Sequence, residues 1–435
     1  MSLRFGTDGV RGVALTELTP SLVAALGRAA AEVLGQGRWL IGRDTRESGP
    51  TLEAAVAAGL TAAGAEPVTV GVVPTPALAW LSALLDVPAA MITASHNAWS
   101  DNGVKVFAAG GRKLADDIES AIESRLSNFG AAVSPDDTPA PTFEGVDDYV
   151  RHLVDGGTAL GGLRVVLDCA NGATSAGAPR VFRGLGADVT VINASPDGRN
   201  INDGCGATNP QVVAAVVVEA GADLGLAFDG DGDRVIAVDH LGHVVDGDRL
   251  LGLAALQLQE ERALRDDTVV VTVMSNLGFH RAMRAAGINV VTTAVGDRYV
   301  LEALDEGHFS LGGEQSGHII YRDIATTGDG ILAGLRLAEF IHGHHRSLAE
   351  LAGEVMTSFP QVLVNVRVAD RHPAIADELA VEIAAAQSRL GDDGRVLVRP
   401  SGTEPLVRVM VEAATDDEAT AVAAELARIV RDRWA

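Results

Sequence analysis

The sequence predicts an α/β protein, with three similar α/β domains of mixed, mainly parallel sheets and then a smaller C-terminal α+β domain. The first observation is a repeat in which a helix ending at glycine is followed by a β-branched strand. It occurs in AAGAEPVTV (62–70), GLGADVTVI (184–192) and AAGINVVTT (285–293). The copies lie roughly a hundred residues apart, which is too long for a solenoid and fits one copy per domain.

Each copy is preceded by an apolar, strand-like segment and a helical stretch, so strand, helix and strand follow one another three times. The pairs are WLIG (39–42) with LEAAVAAGLTAA (52–63), RVVLD (164–168) with PRVFRGL (179–185), and TVVVTV (268–273) with FHRAMRAA (279–286). Alternating strands and helices favour a parallel sheet in each of these domains.

The last part of the chain follows a different pattern, which predicts a small antiparallel sheet with helices. Its segments are strand QVLVNVRVA (361–369), a helix over 374–389, strand GRVLVRP (394–400), strand LVRVMVEA (406–413) and a helix over 417–432. We place the four domains at 1–142, 143–250, 251–358 and 359–435. The polar, proline-broken segment SPDDTPAP (134–141) marks the first boundary.

The composition is that of an acidic globular protein. Hydrophobic residues make up 47% of the 435 residues, and a net charge of −24 disfavours nucleic acid and acidic membranes as partners. An anionic substrate therefore needs a local basic pocket. The N-terminus has no apolar signal core, and Cys169 and Cys205 fit neither a CxxC spacing nor a disulfide framework. We predict a cytoplasmic protein whose two thiols are buried or idle.

Three aspartates alternate with glycines in FDGDGDR (228–234), after an apolar run. In an extended segment Asp229, Asp231 and Asp233 would share one face, and oxygen-only ligands select a hard cation such as Mg²⁺. An acidic turn is the simpler alternative. An EF-hand calcium loop is excluded, because its sixth position would be Arg234 instead of Gly and its twelfth His240 instead of Glu.

Ser95 follows the strand-like AAMIT (89–93) and precedes a glycine-containing turn, so we expect an exposed hydroxyl. No GxSxG motif surrounds it, which argues against a hydrolase. A phosphoserine needs partners that neutralise its charge, and the aspartate triplet with a cation would supply them. The chain has 32 Arg and two Lys, so Lys105 beside this serine suggests a need for an amine that can change protonation.

Two further polar segments could bind parts of a substrate. RPSGTEP (399–405) offers a guanidinium, hydroxyls and free amides, with Arg408 on the following strand, and this is typical of a phosphate clamp. An ordinary hairpin turn is the alternative. GGEQSGH (312–318) presents Glu314 and Ser316, which suit sugar hydroxyls. HGHH (342–345) is interpreted as a histidine cluster at a helix end instead of a metal site.

Taken together, five segments resemble the motifs of the alpha-D-phosphohexomutase superfamily, in the family order and over nearly the whole chain. They are FGTDGVRG (5–12), TASHN (93–97), DGDGDR (229–234), GGEQSGH (312–318) and RPSGTEP (399–405). The resemblance is closest to the bacterial members that act on glucosamine phosphates, on Gln315, VGDRYV (295–300), TTGDGI (326–331) and SGTEPLVRVMVE (401–412). One departure is AWSDNG (98–103), where many relatives carry a proline and aromatics, and it puts the loop geometry in question.

The resemblance implies four domains around a central cleft and an isomerase that interconverts glucosamine 6-phosphate and glucosamine 1-phosphate, on the route to UDP-N-acetylglucosamine. Phosphorylated Ser95 would donate its phosphoryl group to form a 1,6-bisphosphate, which also serves as activator, and the other phosphate would return to Ser95. The expected cofactor is Mg²⁺, held by phosphorylated Ser95 with Asp229, Asp231 and Asp233.

The resemblance also implies roles for the remaining residues. Arg11 and Arg234 would support charge near Ser95, and Lys105 and His318 match positions of a general acid or base. Glu314 and Ser316 would bind sugar hydroxyls. The residues expected at the distal phosphate are Arg399, Ser401, Gly402, Thr403 and Arg408.

Two other functions stay open. A phosphomannomutase or phosphoglucomutase of the same fold is the first, because no residue in the sequence identifies itself as the partner of the sugar's C2 amine. The second is a non-catalytic phosphosugar sensor, against which the intact Ser95, Lys105 and aspartates argue. The expected partner is a phosphosugar, and the sequence leaves the oligomeric state open, with a homodimer among the options.

Overall fold

The computed structural model describes residues 9–126, 140–143, 145–401 and 405–435. Residues 5–8 of the FGTDGVRG segment, most of SPDDTPAP (134–141), and Gly402 and Thr403 lie outside these ranges. Within them, no helix is long and apolar enough to cross a membrane. The described chain divides into two compact units, residues 1–274 with 288–354, and residues 275–287 with 355–435.

The first sheet and its helices occupy the N-terminal part of the first unit. In chain order the elements are β1 (Val10–Val13), α1 (Pro20–Leu34), β2 (Arg38–Arg43), α2 (Gly49–Ala62), β3 (Glu66–Val72), α3 (Thr75–Leu85), β4 (Ala89–Ile92), β5 (Asp101–Ala108), β6 (Arg112–Lys113) and α4 (Asp116–Leu126). The strand order is β1-β5-β4-β2-β3, with β6 beside β5. Strand β2 is parallel to β3 and β4, whereas β5 is antiparallel to β4 and β1.

The second sheet repeats this arrangement. Its elements are α5 (Val146–Gly156), β7 (Arg164–Asp168), α6 (Ala178–Gly184), β8 (Asp188–Ile192), α7 (Gln211–Ala220), β9 (Leu224–Phe228), β10 (Val235–Asp239) and β11 (Val244–Val245). The order is β11-β10-β9-β7-β8. Strand β7 is parallel to β8 and β9, and β10 is antiparallel to β9.

The third sheet follows in the same way. Its elements are α8 (Gly247–Glu260), β12 (Thr268–Thr272), α9 (Leu277–Ala285), β13 (Asn289–Thr293), α10 (Asp297–Gly307), β14 (Leu311–Gly313), β15 (Ile319–Tyr321), α11 (Gly330–His344) and α12 (Leu348–Val355). The order is β13-β12-β14-β15, with β12 parallel to both neighbours and β15 antiparallel to β14. Helix α9 connects β12 to β13 in the chain, but its residues belong to the second compact unit.

The predicted repeat of three α/β domains with mixed sheets is therefore confirmed. Each copy contains three parallel strands linked by two helices, and then one antiparallel strand. The turn between the last parallel strand and the antiparallel strand holds Ser95 in the first copy, the aspartate triplet in the second, and the GGEQSGH segment in the third. The three motifs thus occupy the same position in the three repeats.

Close backbone contact packs the first core. Helix α1 begins at an N-cap, Thr19, whose hydroxyl accepts the amide of Leu22. A Cβ on Gly59 of α2 would lie 1.9 Å from the carbonyl oxygen of Ala24 in α1, so only glycine permits this helix crossing. The buried face of the sheet is apolar, with Trp39, Ile41 and Ile92 in one cluster with both helices.

The second unit contains α9 and the C-terminal elements. These are β16 (Gln361–Arg367), α13 (Ile375–Glu378), α14 (Ala380–Leu390), β17 (Arg395–Pro400), β18 (Leu406–Glu412) and α15 (Asp416–Trp434). The sheet is antiparallel in the order β16-β18-β17, so the predicted α+β domain is confirmed. Buried Glu412 joins α9 to this sheet, because its Oε2 accepts the amide of Leu277 at 3.0 Å and pairs with Arg395.

Candidate active site

The serine segment lies in the turn between β4 and β5 of the first unit. Ser95 is completely buried, and its backbone is left-handed with a φ of 51°. Its Oγ donates a hydrogen bond to Oδ2 of Asp229 at 2.5 Å. The expectation of an exposed hydroxyl is wrong, because the aspartate turn of the second repeat packs directly on the serine. A Cβ on Gly230 would lie 2.6 Å from the carbonyl oxygen of Ser95.

The three aspartates form one cluster, with a ligand oxygen of each within 4.8 Å of the others. All three side chains are buried. The predicted reason for their convergence, an extended strand, is wrong. The segment is a turn, in which the amide of Gly232 donates to the carbonyl of Asp229 at 3.1 Å, and Gly232 has a φ of 72° that favours glycine.

Opposite charges surround this cluster. The Nζ of Lys105 lies 3.0 Å from Oδ2 of Asp231 and 3.1 Å from Oδ2 of Asp233. Burial raises the pKa of Asp229 well above its ordinary value, and the carboxylates of Asp233 and Asp231 raise it further. Burial would also raise the pKa of Asp233, but Lys105 and then His318 outweigh burial and hold it well below its ordinary value. The cluster thus favours a proton or a cation at Asp229.

The donor set fits a hard divalent cation. Oδ1 of Asp231 and Oδ1 of Asp233 are buried without a hydrogen-bond partner among the described residues. Buried carboxylate oxygens without donors are costly, and a cation with oxygen ligands would satisfy them. Asp229, Asp231 and Asp233 are therefore the residues that could hold Mg²⁺, with Ser95 beside them.

Two arginines add positive charge at the serine turn. Arg11 lies in β1 opposite Gly103 of β5. Burial, followed by the charges of Arg234 and Arg11, lowers the pKa of His96 to about 4. The effect on His96, whose Nδ1 is 3.3 Å from Oγ of Ser95, places both guanidinium groups in the electrostatic neighbourhood of the serine. Such charges suit a phosphoryl group.

His318 lies on the other side of Asp233. Its Nδ1 is 3.7 Å from Oδ1 of Asp233, and its Nε2 accepts the amide of Gly328 at 3.1 Å. Burial alone would lower the pKa of His318, but Asp233 and then Asp297 outweigh it and raise the pKa above its ordinary value. Asp297 also pairs with Lys113, so the second lysine of the chain belongs to this network.

The predicted sugar-binding segment forms the turn between β14 and β15. Glu314 and Ser316 lie together, with Oγ of Ser316 3.5 Å from Oε2 of Glu314. The other carboxylate oxygen of Glu314 accepts the amide of Gly296 at 3.1 Å, which fixes its orientation. Ser316 is exposed and Glu314 half-buried, so both groups are accessible to a polar ligand.

The predicted phosphate clamp lies in the second unit. Arg399 and Arg408 are direct cross-strand partners in the β17–β18 hairpin, and burial, followed by the charge of Arg408, lowers the pKa of Arg399. Like charges opposite each other destabilise a strand pair. The Nε of Arg408 is also buried without a hydrogen-bond partner within the described ranges. Ser401, two residues after Arg399, is buried, whereas Gly402 and Thr403 lie outside the described residues. A bound anion would relieve both costs.

Sequence reasoning missed several residues of this site. Thr75 donates through Oγ1 to Oδ2 of Asp231 at 2.6 Å, and no motif marked it. Buried Arg46 binds carbonyls of the serine turn. Lys113 and Asp297 were also missed, although the scarcity of lysine could have identified Lys113.

Two groups outside the predicted site, the cysteines and the HGHH segment, lie in structural positions. Cys169 and Cys205 are free and buried, and burial raises the pKa of each thiol to about 12, so both are unreactive near neutral pH. Within the HGHH segment, His344 bonds through Nδ1 to the carbonyl of Phe340, and His345 is the C-cap of α11. These histidines lie at the end of α11, as the sequence predicted.

A buried tyrosine–aspartate pair supports the loop that holds His318. Asp329 caps α11 by accepting the amide of Leu332, and both of its carboxylate oxygens accept the Tyr149 hydroxyl at 2.8 Å. Burial raises the pKa of Asp329 from 3.8 to about 6. Because the pKa of Asp329 is higher in the folded protein than its ordinary value, the protonated carboxyl group contributes stability. This contribution is complete below pH 3.8 and is lost as the pH rises through about 6.

We therefore expect the stability of Asp329→Asn to increase relative to that of the wild type as the pH rises. The difference in free energy of unfolding should move by about 1–2 kcal/mol in favour of the variant between pH 5 and pH 8, since the neutral amide carries no ionisation cost. Urea unfolding at several pH values measures it, with the half-buried Asp148→Asn as control. Parallel pH curves for wild type and Asp329→Asn would contradict the assignment.

Comparison with known proteins gives consistent matches along the whole chain. Four family models match in order, described as Phosphoglucomutase/phosphomannomutase, alpha/beta/alpha domain I (residues 2–131), domain II (147–242), domain III (246–359) and the C-terminal domain (363–429). A curated relative from Thermobifida fusca (strain YX), named phosphoglucosamine mutase, is 52% identical over 444 residues, covering 99% of this chain and 99% of its own length.

Solved structures share the fold. A phosphoglucomutase/phosphomannomutase family protein from Burkholderia thailandensis matches with a TM-score of 0.82 and 26% identity, over 98% of this chain and 97% of that protein. An N-acetylphosphoglucosamine mutase from Aspergillus fumigatus, solved with GlcNAc-6P and magnesium, matches with a TM-score of 0.71 and 20% identity, over 99% and 95% of the two chains. At that identity the second match concerns the fold alone.

Proposed function

The chain belongs to the phosphoglucomutase/phosphomannomutase family, and on that premise we propose that it interconverts glucosamine 6-phosphate and glucosamine 1-phosphate through phosphorylated Ser95 and a 1,6-bisphosphate. It is a phosphomutase, an enzyme of the isomerase class. The observation that carries the mechanism is the 2.5 Å contact of Ser95 Oγ with Asp229 inside a buried cluster of three carboxylates. The choice of the amino sugar rests on the relative that is 52% identical over its full length.

The two phosphoryl transfers require only the phosphorylated enzyme and the sugar phosphate. The bond between phosphorus and Ser95 Oγ breaks while phosphorus bonds to the free hydroxyl oxygen of the substrate, whose proton passes to a protein base. In the second half the other phosphate of the bisphosphate moves to Oγ, and the sugar oxygen that it leaves takes up the proton. We assign the proton transfers to Lys105 and His318, which are buried and lie on either side of Asp233.

The charge of the transferred group needs compensation, since phosphoryl transfer depends mainly on positioning and electrostatics. Asp229, Asp231 and Asp233, with an oxygen of the serine phosphate, would hold Mg²⁺, which neutralises charge on the phosphoryl oxygens when bound. Arg11 and Arg234 would add fixed positive charge. We expect a catalytic amount of 1,6-bisphosphate to phosphorylate Ser95 and activate the enzyme.

The remaining assignments concern the substrate. Glu314 and Ser316 would accept and donate hydrogen bonds to the sugar hydroxyls. The phosphate that does not react would be bound by Arg399 and Arg408 with Ser401, Gly402 and Thr403, because an anion between two opposed guanidinium groups removes their repulsion. A place on the route to UDP-N-acetylglucosamine, a cytoplasmic location, the four domain boundaries and a homodimer stay predictions.

Substrate preference tests the proposal. Purified protein with Mg²⁺ and catalytic 1,6-bisphosphate should turn over glucosamine 6-phosphate with kcat/KM at least about tenfold above glucose 6-phosphate and mannose 6-phosphate. Preference for a neutral sugar would move the chain to phosphoglucomutase or phosphomannomutase activity, which the family description also names. Absence of turnover with all three sugars by Ser95-phosphorylated protein would favour the sensor.

A further inference from the structure

The strained backbone of Ser95 needs an external support. Ser95 has a φ of 51°, in the left-handed region that non-glycine residues seldom adopt. Strain of this kind persists only where the surroundings impose it, and it concentrates at functional sites. The turn in question comprises residues 95–101. Several of the contacts that hold it come from residues outside the recognised motifs.

The guanidinium group of Arg46 donates hydrogen bonds to several carbonyls of the serine turn. Arg46 follows β2 and is 1% exposed. Its Nη2 donates to the carbonyl oxygens of Ser95 and Asn97, both at 2.9 Å. Its Nη1 donates to the carbonyl oxygen of Asp101 at 3.0 Å and to that of Ala98. Four carbonyls of a single turn are therefore directed at one side chain.

The remaining donor of Arg46 fixes the guanidinium itself. Its Nε donates to Oδ2 of buried Asp44 at 2.8 Å. The same oxygen accepts the hydroxyl of Thr93 at 2.8 Å, and Oγ1 of Thr93 accepts the amide of Ser95 at 2.9 Å. All five N–H donors of Arg46 are used. The network is closed, because Ser95 bonds to Arg46 through its carbonyl and to Thr93 through its amide.

Asn202, from the second repeat, donates hydrogen bonds to the same turn. The Nδ2 of Asn202, from the segment between β8 and α7, donates to the carbonyl of Ser95 at 2.9 Å and to that of Asn97 at 3.1 Å. These are the two carbonyls that Nη2 of Arg46 also binds. A Cβ on Gly230 would lie 2.8 Å from Nδ2 of Asn202, so the aspartate turn packs against this amide.

We propose that Arg46, assisted by Asn202, is a positioning residue that holds Ser95 in its left-handed conformation and so places Oγ against Asp229. The inference rests on the proposed function and adds to it a residue, Arg46, that lies outside the recognised motifs. A lysine cannot replace the arginine, because an ammonium group has three donors and lacks the planar fork that fixes four carbonyls. An ordinary buried ion pair would support folding but would not set the serine geometry.

The test compares Arg46→Lys, Arg46→Ala and Asn202→Ala with Arg43→Lys as matched control. Arg43 is the last residue of β2, three positions before Arg46, and its side chain pairs with Glu53 at 2.8 Å instead of with the serine turn. We expect kcat to fall about 100-fold in Arg46→Lys and about tenfold in Asn202→Ala, with KM within about threefold of wild type, since small misplacements of reacting groups act on the chemical step. Arg43→Lys should stay within about twofold.

Rescue and structure separate positioning from stability. Methylguanidinium added to folded Arg46→Ala should raise kcat at least about tenfold, because it restores donors to the vacated site. A crystal structure of Arg46→Lys should show Ser95 out of the left-handed region. A folded Arg46→Lys with near wild-type kcat, or one that keeps the φ of Ser95, would overturn the proposal.

If the Arg46 variants do not fold, Asn202→Ala provides the test. A kcat of Asn202→Ala within about twofold of wild type would then overturn the inference. Failure of the proposed function has a different signature. In that case wild-type protein itself does not turn over the sugar phosphates, and the φ of Ser95 in the Arg46→Lys and Asn202→Ala crystals still tests the positioning role.

Discussion

Replacing Ser95 with alanine is expected to lower kcat/KM for glucosamine 6-phosphate by about 10⁴-fold or more, because the variant has no oxygen to carry the phosphoryl group. The hydroxyl also donates to Asp229 at 2.5 Å, so its loss removes a donor from an already crowded carboxylate cluster. The measurement is turnover together with mass spectrometry of the serine peptide after incubation with 1,6-bisphosphate. Phosphate should be found on Ser95 in wild type and be absent from the variant.

Ser100→Ala is the matched control. Ser100 lies in the same turn but is exposed, and it should retain wild-type kcat. Substantial turnover by Ser95→Ala would rule out the phosphoserine pathway. Loss of turnover in both variants would indicate damage to the turn instead of loss of the carrier.

Replacing Asp231 with asparagine is expected to weaken Mg²⁺ binding about 100-fold and to lower kcat/KM by a similar factor at subsaturating Mg²⁺. One oxygen of Asp231 accepts Thr75 and Lys105, while the other is buried without a hydrogen-bond partner in the described structure. The second oxygen is the one that we assign to the cation. Removing Mg²⁺ from wild type with a chelator should abolish turnover, and adding it back should restore turnover.

Thermal stability gives an independent readout of the same substitution. Without metal, three buried carboxylates repel one another, so Asp231→Asn should unfold at the same temperature as wild type or a higher one. With Mg²⁺ the Tm of wild type should rise, since the cation binds the folded state, and that of the variant should rise much less.

Asp239→Asn serves as control for this second prediction. Asp239 is buried on β10, and its Oδ1 accepts the amides of Leu241 and His243. This variant should lose stability while keeping the Mg²⁺-induced rise in Tm. An equal Mg²⁺ response in Asp231→Asn and wild type would contradict the metal assignment.

Burial explains why some residues could be predicted from the chain and others could not. The strand LGLAF is buried along its whole length, and RVVLD is buried at every position after its first residue, so their apolar runs carried a clear signal. Arg46 carries no such signal. It is a single charged residue after a strand, and four carbonyls distant in sequence decide that it is buried.

Local residue chemistry, repeated at a regular spacing, allowed the sequence alone to determine three α/β repeats, the antiparallel C-terminal sheet and the polar segments that carry the chemistry. Only the tertiary structure decided that Ser95 is buried against Asp229, that the aspartates converge through a turn at Gly232, and that Thr75, Arg46, Asn202 and Asp297 belong to the site. These contacts join segments separated by many residues, and their energies depend on geometry and burial that no local pattern records.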